Sequence, residues 1–175
     1  MPSRRLLTPM LSSLMVLASC AISPSIQPPQ VPAALQTPAG QSPYLQAFAV
    51  GVQIYECAQK ADTSYGWVFK APEATLASSS GEVLGKHYAG PTWESTDGSR
   101  VVGEVKAKDP GPDSSAVPWL LLAAKSNTGS GAFAGTKSIQ RVATVGGVAP
   151  SETCTGANLK QLARIPYTAT YYFYQ

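Results

Sequence analysis

The sequence predicts an all-β protein, a single-domain antiparallel β-sandwich or distorted β-barrel, and three observations carry that expectation. Nearly every segment between Tyr44 and Gln175 is short, rich in β-branched and aromatic residues, and bounded by Gly, Pro, Asp or Ser. No window of twelve or more residues shows helical spacing of its apolar positions. The chain also holds a cysteine pair, Cys57 and Cys154, set far apart as a disulfide closing most of a domain would require.

The elements follow in order. The first twenty residues carry an export pattern: Arg4 and Arg5, an apolar run from Leu6 to Leu17, then Ala18-Ser19. That run is interrupted by Pro9 and is too short to span a hydrocarbon core, which needs about 20 residues. Leu17-Ala-Ser-Cys20 resembles a bacterial lipobox, in which the cysteine takes the lipid and becomes the mature N-terminus. Ordinary cleavage near Ala21 would leave an odd thiol in an oxidising compartment. The expectation is an exported, lipid-anchored envelope protein that meets the membrane through Cys20. In a Gram-negative source, Ala21 at the next position points to the outer membrane or periplasm. Residues 21–43 contain six prolines and no charged residue, the composition of an extended tether. At ~3.1 Å per residue such a tether reaches roughly 70 Å, unless its last part wraps on the domain.

Residues 44–175 form the all-β domain. Candidate strands are Tyr44–Val50, Val52–Ala58, Gly66–Lys70, Ala74–Ala77, Glu82–Ala89, Thr92–Ser95, Arg100–Lys108, Trp119–Lys125, Ser138–Val145 and Tyr167–Tyr174. The one helical candidate is Ala157–Ala163. At Thr96-Asp97-Gly98-Ser99 a three-residue loop with Gly98 left-handed pairs Trp93 with Val101 and Glu94 with Arg100. This register keeps the apolar residues on one face and opposes two unlike charges on the other. The two-residue alternative would put Glu94 on the apolar face. In the last strand Tyr167, Ala169, Tyr171 and Phe173 share one face, and Thr168, Thr170, Tyr172 and Tyr174 the other.

Charge excludes one function class. Charged residues make up 13% of the chain, against about 25% in ordinary domains. They form no Lys/Arg cluster that could neutralise a phosphate backbone, so nucleic acid is not an expected partner. Cys57 and Cys154 lack the paired C-x-x-C spacing of zinc and redox sites, and the expected pairing is a disulfide.

Several motifs, in order along the chain, resemble a known family. Gly51-Val-Gln-Ile-Tyr-Glu-Cys57, Trp67-Val-Phe-Lys-Ala-Pro-Glu-Ala74, His87-Tyr-Ala-Gly-Pro-Thr-Trp93, Val117-Pro-Trp-Leu-Leu-Leu122 and Gly146-Gly-Val-Ala-Pro150 are similar to the bacterial and fungal domain-of-unknown-function family numbered 3455. The resemblance implies a small exported domain without an established activity. Some members carry a malate dehydrogenase label, and one string, Gly129-Ser-Gly-Ala-Phe-Ala134 with Glu152 following, is dinucleotide-like. A dinucleotide fingerprint needs a strand before it and a helix opening at the glycines. Here the glycines lead into Ile139–Val145, a strand pattern, so a flexible loop is expected and a dehydrogenase is disfavoured.

No cofactor, metal site or catalytic set is expected. The single histidine, His87, has no G-x-S-x-G nucleophile to serve and too few companions for a metal. A hydrolase built on His87 with Glu94 or Asp97 is the alternative, but Glu94 already has Arg100 and Asp97 belongs to a turn. The leading expectation is a binding or structural module. Trp67, Trp93 and Trp119 are assigned to the core. Tyr172 and Tyr174, with Tyr88 and His87 nearby, are expected to form an exposed surface for an envelope glycan or protein partner.

Overall fold

The computed structural model describes residues 25–175; the export segment and Cys20 lie outside the described residues. Eight antiparallel strands follow each other around a closed ring: β1 Pro43–Gln59, β2 Tyr65–Ala77, β3 Val83–Tyr88, β4 Thr92–Ser95, β5 Arg100–Asp109, β6 Trp119–Thr128, β7 Ser138–Gly146 and β8 Leu162–Tyr174. Each strand pairs with the next, and β8 returns to β1. Closure removes most of the free sheet edge that would otherwise invite aggregation. The fold is an all-β distorted barrel.

Ten expected strands become eight because two apparent breaks are not breaks. Gly51 lies within β1, where a Cβ would collide with the Glu73 carbonyl and Ala74 of β2. It is a close-approach glycine. Pro72 lies within β2 at a point where only β1 is paired, since the β3 ladder begins at Ala74. A proline is tolerated on such an edge. Pro166 repeats the arrangement, facing Val52 of β1 while the β7 ladder reaches only Tyr167, and this lets β8 start five residues earlier than expected, at Leu162. The expected helix over 157–163 shrinks to a 3₁₀ turn at Gly156–Asn158, held by a Thr155 cap, because β8 claims the rest.

The β4–β5 loop follows the three-residue register. Trp93 pairs with Val101, Glu94 with Arg100, and Gly98 has φ +84°. Inside the ring the packing alternates small and large. Ala47 and Gly51 of β1 stand opposite Tyr171 and Tyr167 of β8, and Gly103 makes room for Trp93. Trp93, Phe133, Tyr171 and Phe173 are the bulk of this core, backed by Leu76, Leu122 and Ile139. Trp67 and Trp119 are only half-buried, contrary to their assignment. Trp67 sits near the end of the β1–β2 pair, and its Nε1 donates to the Glu152 carbonyl at 2.8 Å, tying down the β7–β8 connection. The Cys57–Cys154 disulfide anchors that same connection to β1. A closed loop of this size, 97 residues of separation, contributes up to about 4.7 kcal/mol by restricting the unfolded chain.

The end of the proline-rich segment lies against the barrel's outer wall. Leu35 is fully buried there against β5 and β6, and its carbonyl accepts from Gln140 Nε2 at 2.6 Å. Tyr174 donates its hydroxyl to Gln140 beneath the strap. Ser42 and Gln175 then exchange backbone hydrogen bonds and lead into β1.

Candidate functional site

The ring is incomplete on one side, and the site follows from that. β3 and β4 are short, with 6 and 4 residues, while their outer neighbours β2 and β5 run on past them. β2 from Tyr65 to Glu73 therefore has no β3 partner, and β5 beyond Val102 has no β4 partner. Between these two strand segments a cavity of about 300 Å³ enters the barrel wall. Phe69 and Lys70 of β2 and Val105 of β5 are at its exposed mouth, with Pro91 of the β3–β4 turn beside them. His87, Trp93, Leu122 and Tyr171 form its inner wall, and Arg141 and Leu120 complete it.

Strand alternation sets this wall. His87 and Trp93 are register partners on the inward face of the β3–β4 hairpin, and their rings stack with centroids 4.3 Å apart and planes 14° from parallel. Tyr171 meets both edge-on, at 5.2 and 5.4 Å. His87 Nδ1 donates to the Thr92 carbonyl at 2.8 Å; a carbonyl can only accept, so Nε2 is the bare acceptor nitrogen. Burial lowers the His87 pKa to about 3, against the raising effect of the Thr92 hydrogen bond and with help from the Arg141 charge. The imidazole is neutral at any ordinary pH.

Arg141 is placed by β7. It sits just before a register shift between Val142 and Val145, where Ala143 takes φ +48°, and such bulges redirect the side chains around them. Its Nε and Nη2 both donate to the Pro118 carbonyl, at 3.1 and 2.8 Å, which fixes the plane of the guanidinium. Among the described residues no carboxylate lies within ion-pairing distance of Arg141. Four buried polar atoms on the barrel's inner wall lack a partner in hydrogen-bonding geometry: Trp93 Nε1, the Tyr171 and Tyr167 hydroxyls, and Gln53 Nε2. Burial raises the pKa of both tyrosines, and the Arg141 charge opposes the rise. Tyr167 nonetheless interacts with Tyr171 and Gln53, and Tyr171 with Arg141, so Trp93 Nε1 is the clear orphan. Burying such a donor unpaired costs about 1–3 kcal/mol.

The residues expected to share a ligand surface are not brought together. His87 faces the interior and Tyr88 the exterior of the same strand, where its hydroxyl donates to Glu94 Oε2 at 2.6 Å. Tyr174 is 1% exposed under the strap, which overturns its expected exposure; Tyr172 is partly exposed on the same outer wall, hydrogen-bonded to Gln46. The reason is that the segment around Leu35 covers Tyr174, which strand alternation alone leaves bare. The hydrolase set is not assembled either. Glu94 is outside the barrel with Lys86 and Arg100, and its pKa is lowered first by the Tyr88 hydrogen bond. Asp97 accepts from Ser99 N and Ala132 N at 2.8 Å each, a loop-fastening role that lowers its pKa to about 2. The dinucleotide-like glycines form the β6–β7 loop that Asp97 fastens, and Phe133 from that string plugs the barrel core.

Sequence reasoning missed Arg141 and Tyr171 as site residues. The signal was present in Ile139-Gln-Arg141, a strand that puts a charge on the same face as a core isoleucine.

The fold and the cavity define a closed β-barrel with one wall opened by a short hairpin. The chain belongs to the family described as "Protein of unknown function (DUF3455)", whose model matches residues 38–175. No curated protein and no solved structure matches it.

Proposed function

We propose that this is an exported envelope protein, anchored by lipid at Cys20, whose barrel binds a small ligand in the side cavity. The binding reading is carried by one observation: a cavity of about 300 Å³ whose wall is apolar yet includes a neutral histidine, an arginine without a counter-ion among the described residues and an orphaned indole donor. Ligand sites are concave, mostly apolar and set with a few convergent polar groups, commonly from about 300 Å³ upward. The wall has no assembled nucleophile, base and orienting acid, which favours binding over hydrolysis.

Export is supported by the Cys57–Cys154 disulfide, a bond that persists in oxidising compartments, and it leaves Cys20 as the odd cysteine beside a lipobox-like run. The strap shortens the tether, since the chain is already committed to the barrel wall by Leu35. Between Cys20 and Leu35 an extended chain spans at most roughly 50 Å, so the barrel rides close to the membrane.

The test pairs two measurements. Titration with a neutral aromatic probe, 2-naphthylmethanol, should shift the Trp93 indole resonance, and Val105→Trp at the mouth should abolish the shift. A shift that survives Val105→Trp, or no shift with this probe or with charged probes of the same shape, sinks the binding reading. Alkyne-palmitate labelling in cells should mark the protein and be lost in Cys20→Ala; equal labelling of both sinks the anchor.

A further inference from the structure

We propose that the cavity receives a small amphipathic anion, a carboxylate on an apolar body, with Arg141 as its charge partner. This rests on the reading of the cavity as a binding site and narrows it to a ligand class. The charged groups on the lining are Lys70 and Arg141, and none of the lining residues is acidic. Lys70 stands at the exposed mouth and already faces Glu56 at 3.6 Å. Arg141 is half-buried, oriented by the Pro118 carbonyl and without a counter-ion among the described residues. A guanidinium held in a fixed plane presents its remaining N–H groups as a fork suited to a carboxylate.

The neighbouring polar atoms agree in kind. Trp93 Nε1 can only donate and is buried without a partner, and the Tyr171 hydroxyl, which lies beside Arg141, can donate as well. An acceptor-only group such as a carboxylate satisfies donors of this type, whereas an ammonium would face Arg141 with like charge. The rest of the cavity, from Leu120 and Leu122 to Pro72 and Phe69, offers apolar surface for the body of the ligand. A single arginine in so apolar a wall suits a monoanion better than a phosphate, which collects several donors at once.

Three probes of one shape separate this inference from the reading beneath it: 2-naphthoate, neutral 2-naphthylmethanol and 2-naphthylmethylammonium, each titrated against the Trp93 indole resonance of the folded, disulfide-bonded protein. Naphthoate should bind about tenfold more tightly than the alcohol, or more, and the ammonium least tightly. Arg141→Met should erase the difference while the alcohol still binds, and Tyr171→Phe should weaken naphthoate alone. Should Arg141→Met fail to fold, Arg141→Lys decides: the preference must shrink without reversing. If alcohol or ammonium equals naphthoate, or if Arg141→Lys leaves the preference unchanged, the anion assignment falls and the cavity stands. If none of the three binds, both fall.

Discussion

His87 and Trp93 stack face to face across the β3–β4 hairpin, 4.3 Å between centroids, so a titratable ring is sealed against the largest side chain of the barrel core. Among the described residues the imidazole's hydrogen-bond partner is the Thr92 carbonyl, at Nδ1. The stack makes the histidine a structural reporter as well as a wall of the cavity.

His87 should impose an acid limit on stability. Its folded pKa, about 3, lies below the unfolded value of about 6.5, so the unfolded chain takes up the proton first. Stability is therefore full above about pH 6.5 and falls as pH drops toward 3, with a slope of at most about 1.4 kcal/mol per pH unit. Tyr171, the other titratable ring facing it, is kept neutral across that window, because burial raises its pKa. Urea melts of wild type and His87→Gln between pH 7 and 4.5 should differ in slope, with the variant nearly flat. Parallel curves would contradict the burial of a neutral imidazole.

Gly103 sets the position of the indole. A Cβ there would lie 2.9 Å from Trp93 Cζ3 and 3.1 Å from Leu122 Cδ2, with both neighbours packed in the core. Gly103→Ala should cost about 1–3 kcal/mol through overpacking. The same variant should shift the Trp93 indole resonance without any ligand. A stable variant with an unmoved Trp93 signal would show slack in this packing.

The strap should be part of the folding unit. Leu35 is fully buried outside the ring and lies over Gln140 and Tyr174. Leu35→Ala should cost about 2–4 kcal/mol in denaturant melts. Removing residues 1–41 should expose Tyr174 and lower its pKa from about 12, where burial holds it, toward the ordinary tyrosine value. An unchanged tyrosine titration in the truncated protein would mean that the strap does not bury this ring.

How much of this was written in the sequence can be judged strand by strand. The β4–β5 loop was fully legible, because Trp93, Glu94, Arg100 and Val101 leave one register that keeps a carboxylate out of the core. The inward row of β8 was legible for the same reason, period-two alternation. The disulfide followed from cysteine count and compartment. Gly51 and Pro72, however, read as breaks, since only the partner strand reveals that one is a close approach and the other an unpaired edge.

What the sequence by itself determined is therefore the all-β class, the local registers and the alternation of faces, all products of short-range stereochemistry. Tertiary structure alone decided which of two aromatic faces stays exposed, because the strap that buries Tyr174 comes from more than a hundred residues away. It also decided the site. His87, Arg141 and Tyr171 come from β3, β7 and β8, and they meet only because the ring closes and its short hairpin leaves a gap. Long-range closure of this kind leaves no periodic trace in the chain, so no reading of spacing could have joined those three residues.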